Sequence, residues 1–384
     1  MAEISRLQPG DVVDRYVVEG LLGVGGMAAV YRVHHQHLGS THALKVLSAG
    51  TRSVRERLMQ EGRVQARLRH PNVVLVTDVI DVNGDPGLVL ELVDGPALDQ
   101  LLARERPSVD EALRLFIGIT RGVRHAHEQG LIHRDLKPSN VLLARGDEGY
   151  LPKVADFGLV KLMAADNADA SATKSGAAMG TPEYMAPEQI RDAGGVDHRA
   201  DLFSLGCILY ELLCGVSPFK GGDMLQVFNR ITSGTFADPR AYSADLPLNA
   251  INVIFGLLET DRNQRISSCD EVLDILQAKS TAAVGELRWD AREAPTAPAE
   301  VPPLPPREPS SDVTAWTSLP SIHIGAPTPM APPPRMVGRR ATAPLVMIPV
   351  IALVVATAIA VWGNHPRSAN RQGAPATSTL MELP

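Results

Sequence analysis

Cysteine is scarce in this chain: Cys207, Cys214 and Cys269 are the only three among 384 residues, an odd number without Cys-x-x-Cys spacing. This suits a reduced cytosolic domain with buried structural thiols better than a secreted, disulfide-held one. A basic excess is absent too, since 37 Lys and Arg stand against 43 Asp and Glu for a formal charge of -6. Nucleic acid is therefore not an expected partner. The N-terminus has Glu3 and Arg6 but no apolar stretch of the kind a cleaved secretory signal needs, so the first domain is expected to stay in the cytosol. No internal repeat is visible. The length exceeds what one core usually serves, which predicts a two-lobed domain with appendages.

One long apolar run does exist, near the C-terminus. Ala341 to Asn364 carries no charge and Leu345 to Trp362 is almost wholly apolar, about 20 residues that as a helix reach roughly 30 Å. A transmembrane helix over 341–363 is expected, Pro349 included, because nothing nearby could cover a helix that is apolar on all sides. Arg335, Arg339 and Arg340 precede it and Arg367 and Arg371 follow, a bias that places the N-terminal side in the cytoplasm and the tail, 364–384, outside. Residues 280–340, dense in proline, read as an extended juxtamembrane linker. Pro302 to Arg307 has the composition of a polyproline II ligand, though a spacer explains it as well.

Before the linker, the pattern falls into two parts. Tyr16 to Leu22, Met27 to Val33, Thr41 to Leu47, Val73 to Asp81 and Leu88 to Val93 read as strands, with one helix over Val54 to Leu68 stopped by His70-Pro71-Asn72. From Gly95 onward the periodicity is helical: Val109 to Gln129, Ala200 to Leu213, Asp223 to Ile231 and Ile251 to Leu258. The expected class is α+β, with a small β-rich lobe at 16–94 and a larger, mainly helical lobe at 95–279 after an N-terminal segment of 1–15.

The chemistry-bearing stretch is His133-Arg134-Asp135-Leu136-Lys137-Pro138-Ser139-Asn140, with Asp156-Phe157-Gly158 beginning sixteen positions after Asn140. An attacking hydroxyl needs a carboxylate to orient it, and nucleotide phosphates need metal ligands facing the same point; Asp135 meets the first need, Asn140 and Asp156 the second. Upstream lies Leu22-Gly23-Val24-Gly25-Gly26-Met27-Ala28-Ala29-Val30, whose missing side chains let backbone amides approach phosphates. Such a turn alone also fits a dinucleotide fingerprint, but that needs a helix next, and here a strand follows. A strand lysine, Lys45, comes next, and Ala186-Pro187-Glu188 closes the series. In order and spacing the series resembles the eukaryotic-like protein kinases, in particular the bacterial membrane-anchored serine/threonine kinases, from about Arg15 to about Lys279.

That resemblance implies a bilobal protein-kinase fold binding ATP and Mg²⁺ and transferring the γ-phosphoryl group to Ser or Thr hydroxyls of protein substrates, the kinase itself included, through a transient dimer. It implies Asp135 as the residue that accepts or orients the hydroxyl proton and Lys137 as the charge neutraliser, the latter a mark of Ser/Thr specificity. It also implies Leu22 through Val30 over the phosphates with Val30 capping the adenine, Lys45 on the α- and β-phosphates, Leu90 as gatekeeper, and Glu91 and Val93 as hinge contacts. Asn140 and Asp156 become the metal ligands. Glu61, nine residues before His70, becomes the partner of Lys45, with Glu56 the other candidate. His133 is expected to pack beneath Phe157, and Arg134 to receive a phosphate on the segment from Gly158 to Glu188, where Ser171, Thr173 and Ser175 are candidates. Thr181 would shape the substrate groove, Glu188 and Arg265 would pair, and Asp201 would support the catalytic loop. Ala28 departs from the family, which places a third glycine there. It is the sole sequence support for an inactive, membrane-tethered binding module; a small-molecule phosphotransferase is a further rival.

Overall fold

The computed structural model describes residues 7–25, 28–47, 51–147, 149–157, 182–191, 195–243 and 245–278. The expected membrane span, linker and tail lie outside the described residues, as do Gly26, Met27, Thr181 and the candidates Ser171, Thr173 and Ser175. Among the described residues no helix is long and apolar enough to cross a membrane.

The smaller lobe is one antiparallel sheet of six strands in the order β1-β2-β3-β4-β6-β5, built from β1 (Val12–Val13), β2 (Tyr16–Val24), β3 (Ala28–His35), β4 (Thr41–Leu47), β5 (Val76–Val82) and β6 (Asp85–Glu91). Alternation along the strands turns Val18, Tyr31, Val33, Leu44 and Val46 into a core that also takes in Leu7 and Val13, so residues ahead of Tyr16 belong to the lobe. Asn83 and Gly84, at φ 52° and 99°, make the two-residue turn from β5 to β6. Helix α1 (Arg52–Gln65) lies on the other face of the sheet, where Leu58 packs with Leu47 and Leu88. Gly62 allows the close approach, because a Cβ there would fall 2.5 Å from Leu88 Cδ2. The helix begins and ends slightly before the 54–68 expected.

The larger lobe is helical: α2 (Leu98–Arg104), α3 (Val109–Glu128), α4 (Pro187–Arg191), α5 (Arg199–Cys214), α6 (Met224–Ser233), α7 (Leu248–Leu257) and α8 (Cys269–Gln277). Helix α3 starts at a Ser108 cap, whose hydroxyl accepts from the Glu111 N–H, and α5 stops at Gly215 with φ 77°. Residues 200–214 of α5 are all buried, so it forms the axis of the lobe. Its few polar residues must then find partners. Ser204 Oγ donates to Tyr184 O at 2.7 Å, Glu211 receives the Tyr184 hydroxyl, and Asp201 turns toward the cleft. The three cysteines are buried, and burial pushes their thiols up, Cys214 to about 12, which makes them inert. A hairpin, β7 (Val141–Gly146) with β8 (Gly149–Val154), completes the lobe beneath the sheet. Asn72 fastens the lobes together: its amide donates to Pro152 O, its carbonyl accepts from Val154 N–H, and Gly122 of α3 approaches that carbonyl closely.

Candidate active site

Asp201 organises the catalytic loop from beneath. Its Oδ2 accepts from the His133 N–H and from His127 Nε2, and its Oδ1 accepts from the Arg134 N–H, each at 2.8 Å. Burial pushes this carboxyl up, but His127 and these donors outweigh burial and hold it below the ordinary carboxylate value. The bonds also hold Arg134 at φ 67°, a conformation that non-glycine residues seldom adopt. His133 in turn accepts the Asp135 N–H at Nδ1, 3.3 Å, and donates from Nε2 to Ala155 O, 2.7 Å, with its ring centroid 4.8 Å from that of Phe157. The loop and the turn from Ala155 to Phe157 are thereby one unit.

Asp135, Lys137 and Asn140 converge. Lys137 Nζ lies 2.8 Å from Asp135 Oδ2, and Asn140 Nδ2 donates to Asp135 O at 2.7 Å and to Oδ2 at 3.3 Å. With its amide nitrogen committed, Asn140 presents its Oδ1. Asp156, at φ 64°, faces the sheet, and its Oδ1 is 2.6 Å from Lys45 Nζ. Burial raises the Asp156 carboxyl, yet Lys45, His133 and Lys137 more than offset this and keep it below its ordinary value, a carboxylate ready to bind a cation. One amide oxygen and one carboxylate are hard donors of the kind Mg²⁺ takes, with the remaining positions left to water and phosphate oxygens. The residues fit the ion.

The expected pairing of Lys45 with Glu61 is corrected by the structure. Lys45 pairs with Asp156, and neither Glu61 nor Glu56 reaches it among the described residues; Glu56 instead meets Arg52 at the surface. The reason is how α1 docks. Its inner face is occupied by Leu58, Gly62 and Gln65, and Glu61 sits half-buried at the edge of that face.

Between the lobes is a cleft of about 400 Å³. Leu22 and Val30 form its roof, Leu90 its back wall, and Ala43, Val74, Leu142 and Ala155 complete an apolar slot that opens onto Lys45 and Asp156. Alternation places Ala43 two positions before Lys45 on the same strand face, so the sequence does carry a signal for it; Leu142 has none. Glu91 Oε1 accepts from the Leu75 N–H at 2.8 Å and from Lys153 Nζ at 2.9 Å, and so ties the hinge to β8. Neither backbone polar group of Val93 has a hydrogen-bond partner among the described residues, which leaves them for a ligand. Gly95 must be glycine, since a Cβ would fall 1.8 Å from Leu143 O.

Of the glycine-rich hairpin, Leu22 and Val30 line the cleft, while Gly26 and Met27 lie outside the described residues. Gly23 and Val24 pair with Val30 and Ala29, and the Gly25 N–H donates to Ala28 O at 2.7 Å, but Ala29 points away into the sheet core. Ala28 causes no strain: it is not among the residues with positive φ, and its methyl packs toward Leu47, Leu58 and Leu88. The residue that hinted at a non-catalytic module is accommodated in an ordinary strand.

In the lower lobe Arg265 forms a two-pronged pair with Glu188, Nη1 to Oε1 at 2.7 Å and Nη2 to Oε2 at 3.0 Å, with the arginine side chain fully buried. Arg134 Nε is buried without a partner among the described residues.

Compared with known families, residues 16–278 match the protein kinase domain. The chain belongs to the protein kinase family. Within it the resemblance is to the bacterial eukaryotic-like kinases: this kinase is 34% identical over 295 residues to a probable serine/threonine-protein kinase of Streptomyces coelicolor, covering 73% of this chain and 43% of that one. The chain thus spans less than half the length of that relative. Among solved structures, the PknI kinase domain of Mycobacterium tuberculosis is similar with a TM-score of 0.56 and 29% identity, covering 71% of this chain and 98% of that one. Rad53 in complex with AMP-PNP is similar with a TM-score of 0.57 and 27% identity, covering 68% and 65%.

Proposed function

We propose that this kinase transfers the γ-phosphoryl group of ATP to Ser or Thr hydroxyls of proteins, itself included, while anchored to the cell membrane through 341–363 with its kinase domain in the cytoplasm. The observation that carries the reading is the convergence of Asp135, Lys137 and Asn140 on one loop, held by Asp201 and facing Asp156 and Lys45 across the cleft. When bound, Mg·ATP would supply the phosphoryl group, with ADP as the leaving group. Asn140 and Asp156 would hold the metal ion, and Lys45 the α- and β-phosphates. Leu22, Val30, Ala43 and Leu142 would enclose the purine, and the backbone groups of Val93, which have no partner among the described residues, would meet its edge. Asp135 orients the acceptor hydroxyl and takes its proton, while Lys137 offsets the charge gathering on the phosphoryl oxygens.

Arg134, whose buried Nε has no partner among the described residues, is a cationic seat for a phosphate on the segment that contains Ser171, Thr173 and Ser175. The membrane part of the proposal rests on the uncharged apolar run of 341–363. In the test, the full-length chain, Lys45→Met and Asp135→Asn are each incubated with labelled ATP and Mg²⁺, and phosphoamino acids are identified. The expected outcome is phosphoserine or phosphothreonine in the wild type and a loss of at least about 100-fold in each variant; equal labelling of all three refutes the reading.

A further inference from the structure

We infer that residues 301–307 of the proline-rich segment dock, within the same chain, in a groove of the larger lobe between α3 and the β7–β8 hairpin. The groove has a volume of about 690 Å³ against about 400 Å³ for the nucleotide cleft, and phosphoryl transfer makes no use of it. Leu113 and Ile117 of α3 line its floor with Tyr150 and Leu151 of β8, and Leu151 is 40% exposed. A Cβ at Gly118 would fall 2.6 Å from Pro152 Cγ, so glycine there seats the hairpin on the helix and closes the base of the groove.

The charges of the groove are ordered. Arg121 stands at one end and Asp110 at the other, where the hairpin turn beside Arg114 also brings Asp147. None of these three is in an ion pair among the described residues, although their neighbours Arg114 and Arg124 are. The segment Glu300-Val301-Pro302-Pro303-Leu304-Pro305-Pro306-Arg307, which lies outside the described residues, has the matching order of an acid, two apolar side chains and a base. In a polyproline II helix every third residue shares an edge, so Val301, Leu304 and Arg307 face one way. Val301 to Arg307 then spans about 19 Å, and Asp110 to Arg121 about 17 Å along α3. Laid antiparallel to α3, the segment sets Glu300 at Arg121, Val301 and Leu304 on the floor beside the Tyr150 ring, and Arg307 at Asp110 and Asp147. The chain's path favours this direction. Helix α8 starts beside the Arg121 end, where Arg124 pairs with Asp270 at 3.2 Å, and the 22 residues between Ala278 and Val301 reach up to roughly 70 Å. A tether of this kind keeps the effective concentration near millimolar, so contacts too weak to retain a free peptide suffice. With 341–363 in a membrane, as proposed above, docking would leave 308–340 as the tether and hold the kinase domain nearer that surface.

The test uses the full-length chain with Leu304→Cys and Leu151→Cys, the three native thiols being buried. Its rate of disulfide formation under a mild oxidant is compared with that of Leu304→Cys paired with Leu38→Cys, a site 76% exposed between β3 and β4. The expected result is a disulfide within one chain that forms at least about tenfold faster at Leu151 than at Leu38. Adding Val301→Asp should bring it to the control rate, while Arg121→Glu slows it about threefold and Glu300→Arg then restores it. Equal rates at the two positions overturn the inference. So does a rate unmoved by Val301→Asp, a substitution outside the folded lobes that decides the matter if Arg121→Glu lowers the unfolding temperature. Disulfides that join separate chains when the two single-cysteine proteins are mixed, at the rate seen within one chain, overturn it in favour of docking between copies. Labelling by ATP does not enter this readout, so failure of the phosphotransfer reading and failure of the docking are separate results.

Discussion

Replacing Asp201 by Asn removes charge from a fully buried side chain while preserving its shape, and the geometry dictates what is lost. The two carboxylate oxygens accept from two backbone N–H groups and one imidazole, all at 2.8 Å. A carboxamide has one oxygen. If it takes the Oδ2 position, the NH₂ meets the Arg134 N–H; if it takes the Oδ1 position, the NH₂ meets the His133 N–H. Either way a buried backbone donor faces another donor. A charge-assisted bond contributes about 1.5–3 kcal/mol and an unsatisfied buried donor costs about 1–3 kcal/mol, so with partial overlap the loss is about 3 kcal/mol. For a domain of this size that lowers the unfolding temperature by roughly 6–12 °C. The same carboxyl, held below its ordinary value of 3.8, makes a contribution that is full above that pH and lost as pH falls through the lower folded value; Asp201→Asn removes this acid dependence. Differential scanning calorimetry from pH 7 to pH 3 reads both effects. An unfolding temperature within about 2 °C of wild type at pH 7 refutes the reasoning.

Cutting the Glu188–Arg265 pair by Glu188→Ala strands a fully buried guanidinium, and urea unfolding should show a loss of about 3–5 kcal/mol. Gly95→Ala forces a Cβ against Leu143 O, so ADP binding measured by calorimetry should weaken at least about tenfold, with a lowered unfolding temperature. His70 accepts the Asn72 N–H at Nδ1, and its ring stacks on His125, 5.2 Å between centroids. Burial, His125 and Arg124 lower its folded value below 6.5, so stability is full above pH 6.5 and declines as pH falls toward that folded value. His70→Gln should show a smaller drop in unfolding temperature between pH 7.5 and pH 5.5 than the wild type.

Much of the molecule is legible along the chain. The segment from His133 to Asn140 is readable because its chemistry is local: base, charge neutraliser and metal ligand share one loop and must sit a few residues apart. Five of the six strands of the smaller lobe follow from their apolar runs, while the short β1 ahead of Tyr16 was not expected, and α5 follows from the helical periodicity between Ala200 and Leu213. The membrane span proposed at 341–363 rests on hydropathy alone.

Other features were settled only when distant segments met. Lys45 and Asp156 are 111 positions apart, and which carboxylate the ammonium meets depends on how α1 docks through Gly62, not on the spacing from Glu61 to His70. Gln65 reads as an unremarkable helix residue until Phe157 O appears beside it. Asp201 was expected beneath the catalytic loop from the resemblance alone, but that its two oxygens take the His133 and Arg134 N–H groups together with His127 emerged only from the fold. Sequence determined which groups were available and which elements would carry them; close packing, which buries a polar atom only beside a partner, decided who bonds to whom.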